Sequence, residues 1–125
     1  MADSRYANII SEDLTVTAAS DALVHVDYQR VQADGVDMGG QLWFARDNAA
    51  WLADEVAKCV ASHAYADVEE TRGDDLLVVF EGGHDQAPYL HVQVERATGA
   101  DKGGIYAISM TKDLGRKLVE GLRGL

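Results

Sequence analysis

Residues 23–30 read LVHVDYQR and residues 89–96 read YLHVQVER. Both octets carry His-Val at their third and fourth places and close on Gln or Glu followed by Arg. Val24, Val26 and Tyr28 alternate with His25, Asp27 and Gln29. Leu90, Val92 and Val94 alternate in the same way with His91, Gln93 and Glu95. A period of two is the mark of a strand with one face buried. Upstream, Asp13-Leu14-Thr15-Val16 matches Asp75-Leu76-Leu77-Val78. Downstream, Asp37-Met38-Gly39-Gly40 matches Asp101-Lys102-Gly103-Gly104. The matches keep their order at offsets of 62 to 66 residues, which marks an internal repeat.

The rest of each half fills in around these anchors. Leu76 to Phe80 is apolar on both faces and predicts a central strand. Leu42 to Ala45 and Ile105 to Met110 are the apolar runs before two helical patterns. A further strand is expected in each half, at Tyr6 to Ile10 and at Asp67 to Thr71. Turns are expected at Ser11-Glu12-Asp13 and Arg72-Gly73-Asp74. Asp47 or Asn48 should cap the first helix, whose Leu52, Val56, Cys59, Val60 and His63 form one stripe. Thr111 should cap the second, with Asp113 favourable at the positive end of its dipole and Leu114, Leu118, Leu122 and Leu125 as its buried stripe. The reading is an α+β domain over 1–125, an internal duplication of a ββββα unit at about 6–63 and 67–123. Its antiparallel sheets pack with two helices.

The chain carries 21 acidic and 11 basic residues, a net charge of −10. Residues 1–64 hold four basic and ten acidic residues, and 65–125 hold seven and eleven, so the acid is spread over both halves. Such a field repels phosphate backbones and anionic membranes and favours a basic partner. No apolar run has the length of a membrane span or the form of a leader. The single Cys59 excludes an internal disulfide, so a reducing compartment, the cytoplasm, is expected.

A doubled four-strand-plus-helix order resembles the Whirly and PUR families of single-stranded nucleic-acid binders. The resemblance implies two units packed with helices crossed over curved sheets, and aromatic and basic sheet residues holding the strand. The lysine- and glycine-rich Whirly signature is absent here. The outward residues His25, Asp27, Gln29, His91, Gln93 and Glu95 are acidic or neutral.

No nucleophile–base set, cofactor motif or metal signature stands out, so catalytic residues and cofactors are expected to be none. His25 and His91 hold equivalent places and, with Asp27 and Glu95 nearby, are the metal or proton-transfer candidates; two histidines alone do not specify a metal. Gly82-Gly83-His84-Asp85 reads as a hairpin, and Glu69-Glu70 and Asp74-Asp75 as carboxylates solvating a turn. Cys59 reads as core. Trp51, at the edge of the first helical stripe, is a candidate interface anchor with Leu114, Leu118 and Leu122, and a homodimer is expected from them. Lys112, Arg116, Lys117 and Arg123 form the one basic concentration and would hold nucleic acid if anything here did. The favoured expectation is a non-catalytic acidic interaction module, such as an inhibitor or immunity-type protein for a basic partner. A Whirly/PUR-like nucleic-acid binder and a small ligand-binding protein or enzyme are the alternatives.

Overall fold

A computed structural model of the chain describes residues 9–33, 35, 37–62, 65–82, 89–97 and 102–125. Alternation builds its strands. β1 (Ile9–Ala18), β2 (Leu23–Gln32) and β3 (Asp37–Ala45) form one antiparallel sheet in that order. β4 (Val68–Arg72), β5 (Asp75–Gly82), β6 (Tyr89–Arg96) and β7 (Ile105–Thr111) form a second. A 3-10 turn at Arg46–Asn48 leads from β3 into α1 (Ala49–Ala61), and β7 runs directly into α2 (Lys112–Arg123). β4 and β5 are joined by Gly73-Asp74, where Gly73 takes φ 56°, a conformation that suits a glycine in a two-residue hairpin turn.

The strand predicted as central, Leu76 to Phe80, lies in β5, which pairs with β4 and β6, although Leu76, Val78 and Phe80 on its outer side are only half-buried. β2 pairs with β1 and β3, and β6 with β5 and β7. Val24, Val26 and Tyr28 of β2 and Leu90, Val92 and Val94 of β6 point into one core. Leu42, Phe44, Leu77, Val79 and Met110 complete the sheet side, and Leu52, Val56, Cys59, Leu118 and Leu122 the helix side. Each fully buried Leu or Val contributes about 1.5–3 kcal/mol. That outweighs the roughly 1 kcal/mol that each glycine within α2 costs. Those glycines are also what allows α2 to dock. A Cβ on Gly115 would sit 2.5 Å from Leu90 and 2.8 Å from Val60, and one on Gly121 would sit 2.7 Å from Val16.

Several expectations need correction. Ser11-Glu12-Asp13 is not a turn. It lies within β1, whose register shifts once between Ile9 and Ser11. Ile9 and Ile10 therefore open β1, and the rest of the expected strand at Tyr6 to Ile10 falls outside the described residues. Among those residues the first half has three strands before its helix and the second has four. The composition of the segment is turn-like, but Glu12 faces inward and finds partners there.

The upstream match also slips by one residue. Pairing sets Glu12 opposite Arg30 and Asp75 opposite Arg96. Glu12, not Asp13, holds the place of Asp75, and buried Leu14 corresponds to buried Leu77. In a strand, one residue of slip exchanges the two faces. Downstream, Gly40 lies opposite Tyr28 while Tyr106 lies opposite Val94, so Gly40 and Gly104 are not in equivalent places. Gly40 has its own reason: a Cβ there would come within 3.1 Å of the Ala107 carbonyl, where β3 passes β7. Among the described residues no helix is long and apolar enough to cross a membrane.

Candidate functional site

Two carboxylates tie the halves together, each reaching across to the other half. Asp75, at the head of β5, is fully buried. Its Oδ1 accepts from Arg96 Nη1 at 2.6 Å. Its Oδ2 accepts from the Ala45 amide at 2.7 Å and from Asn48 Nδ2 at 2.8 Å, at the junction of β3 and α1. Glu12 does the same from β1. Its Oε2 accepts from the Tyr28 hydroxyl at 2.7 Å and from the Thr111 amide at 3.2 Å, and its Oε1 accepts from the Thr111 hydroxyl. Thr111 is the junction of β7 and α2. Burial, with Glu12 beside it, holds the Tyr28 phenol above its ordinary pKa.

These bonds revise two readings. Asp75 does not solvate a turn; it anchors the core end of a hairpin. Asn48 stands at the N-cap of α1, but its side chain makes no cap bond and instead donates to Asp75 and to the Arg72 carbonyl. Thr111 caps α2 as expected, its hydroxyl oxygen accepting from the Leu114 amide at 3.4 Å. The signal for the carboxylate sites was the acid near the start of one strand and the arginine near the end of its neighbour, twice. It becomes visible only once the register is known.

The histidines hold matching strand positions on the sheet faces turned away from the core. His25 stacks on Trp43, ring centroids 4.1 Å apart, and its Nε2 lies 2.9 Å from Gln41 Oε1. His91 stacks on Phe80 at 4.5 Å, with Nδ1 2.7 Å from Ser109 Oγ and Nε2 3.5 Å from Gln93 Oε1. Burial lowers the His91 pKa. Each ring is thus engaged on its own sheet. Among the described residues no group of three or more His, Cys, Asp or Glu side chains is placed to hold a metal. His84 and Asp85, like His63, lie outside the described residues.

The remaining candidates are drawn into the fold. Cys59 is buried and its thiol is pushed up to about 11 by burial. Leu114, Leu118 and Leu122 fill the core of the chain itself, so the stripe expected at a partner interface finds its cover internally. Trp51 is half-buried against that core, with the Arg72 guanidinium 5.4 Å from its ring centre. All four cations of α2 have acidic partners. Lys112 Nζ bonds to Glu81 and, at 2.7 Å, to the Ser62 carbonyl. Arg116 pairs with Asp113 at 2.6 Å, Arg123 with Asp54 at 3.2 Å, and Lys117 with Asp13, whose carboxyl it holds below the usual range.

The outward strand faces have the opposite character. In the first sheet they present Asp13, Thr15, Thr17, His25, Asp27, Gln29, Gln41 and Trp43; in the second, Glu69, Thr71, Phe80, Tyr89, His91, Gln93, Glu95 and Ile105. No lysine or arginine stands among the described outward positions of either sheet. These faces offer carboxylates, amides and aromatic rings, a chemistry that accepts cations, beside the apolar Val31, Leu76 and Val78; of the carboxylates, Asp13 is already held by Lys117. No protein-family model matches the chain, and no curated protein matches it in sequence.

Proposed function

We propose that this chain is a non-catalytic acidic interaction module that binds a basic protein partner through the outward faces of its sheets. Its frame is a duplicated strand–strand–strand–helix unit with β4 added to the second copy. The observation that carries the functional reading is the division of charge. The four cations of α2 are each matched by an acid of the same chain, whereas the sheet faces hold acids and no cation among the described residues. A net charge of −10 then steers basic surfaces toward the molecule. An inhibitor or immunity-type protein against a basic partner would use such a surface. The shared places of Glu12 and Asp75, Arg30 and Arg96, and His25 and His91 support the duplication.

Single-stranded nucleic-acid binding would need free cations beside aromatic rings, and the α2 cations are already paired. The test sets a fluorescent arginine-rich peptide against a fluorescent single-stranded oligonucleotide of equal length. Anisotropy should rise with the peptide, fall back as salt is added, and stay flat with the oligonucleotide. The reverse pattern would overturn the proposal.

A further inference from the structure

The outward side of the first sheet carries one feature that matches a particular side chain. Where β3 passes β7, a groove of about 460 Å³ is lined by Asp27, Gln29 and Gln41 on one side and by Ile105 and Tyr106 on the other. Ile105 is 61% exposed, more open than any large apolar side chain but Ile10 among the described residues. Asp27 is half-buried at the opposite wall, and no described cation pairs with it. An apolar wall facing a carboxylate is what a long side chain with an aliphatic stem and a charged head requires.

Gln41 extends the site along β3. Its Oε1 is 2.9 Å from His25 Nε2 and accepts from Trp43 Nε1 at 3.2 Å, and His25 stacks on the same indole. Trp43, two residues along β3 from Gln41, is therefore held in place near the groove with His25 against one face of its ring. The groove stays open because Gly39 and Gly40 put no side chain into it.

We infer that this groove receives a lysine or arginine side chain of the basic partner, with Asp27 taking the charged head and Ile105 the stem. This deepens the function proposed above and rests on it. The probe is an arginine-rich peptide titrated into the full chain at low salt, read by the indole N–H signals of the two tryptophans, assigned with Trp43→Phe. The Trp43 signal should move and the Trp51 signal should stay. In a parallel anisotropy titration, Ile105→Ser should weaken binding about fivefold or more, an interface contact's worth. Ile10→Ser, which removes a side chain equally open on β1 (69% exposed), should change it less than about twofold. If the peptide binds while Trp43 is unmoved, or both serine variants behave alike, the groove is wrong and the module reading survives. If the wild-type chain does not bind the peptide, both fall. Should Ile105→Ser fail to fold, the tryptophan signals of the wild-type chain decide alone.

Discussion

The two halves agree on the inside and differ on the outside. Within, β1 and β5 each lend a carboxylate to the strand–helix junction of the other half: Glu12 to Thr111, and Asp75 to Ala45. Outside, the same strand position bears His25 stacked on Trp43 in one half, and His91 stacked on Phe80 in the other. The inner contacts are what two units need in order to close on each other. The outer positions differ, and those of the first half are the more polar. The comparison teaches where to look for each role: stability in the shared contacts, and recognition in those that are not shared.

Even the shared contacts are unequal. Asp75 is fully buried and paired with buried Arg96, whereas Glu12 is half-buried and shares its oxygens among neutral donors. Asp75→Ala should therefore be the most damaging change, costing about 3–5 kcal/mol because it removes a buried ion pair with Arg96 and the acceptor of the Ala45 amide and of Asn48. Glu12→Ala should cost about 1–3 kcal/mol, the loss of hydrogen bonds to part-buried donors. Urea unfolding of the two variants measures both; equal losses would mean that the two junctions are equivalent in energy as well as in place.

Gly115→Ala comes next. In an open helix the change would stabilise by about 1 kcal/mol. Here the new methyl would meet Leu90 and Val60, so a net loss of about 1–2 kcal/mol is expected from overpacking. A gain in melting temperature would show that α2 docks more loosely than described.

The smallest effect is that of pH on His91. Burial lowers its folded pKa below 6.5, so the unfolded chain binds that proton more readily. Its contribution is complete above about pH 6.5 and is lost as the pH falls through the ordinary histidine range. His91→Gln should flatten that part of the stability profile; an unchanged slope would assign the pH dependence to other groups.

Much of this frame is legible in the sequence. Alternation in 23–30 and 89–96 places two strands with one face buried, Gly73-Asp74 places a turn between strands, and Thr111 places the start of α2. What could not be read depends on register and distance. Asp-Leu-x-Val recurs at 13 and 75, but the repeat in letters lies one residue off the repeat in pairing, which turns Glu12 and Asp75 from core anchors into apparent turn residues. Lys117 and Arg123 look like a free basic face until Asp13 and Asp54, remote in the chain, are brought beside them. The Asp27–Ile105 groove combines strands from both halves, so no local pattern announces it.

The claim that the sheet faces, and not overall acidity, select a basic partner is tested most directly by moving the same charge change to two places. One variant carries Asp27→Lys with Glu95→Lys on the outward sheet faces; the other carries Asp54→Lys with Glu120→Lys on the helices. Both alter net charge equally. Calorimetric titration with an arginine-rich peptide should show binding lost, about tenfold or more, in the sheet variant and nearly retained in the helix variant. Equal losses in the two variants would contradict the account.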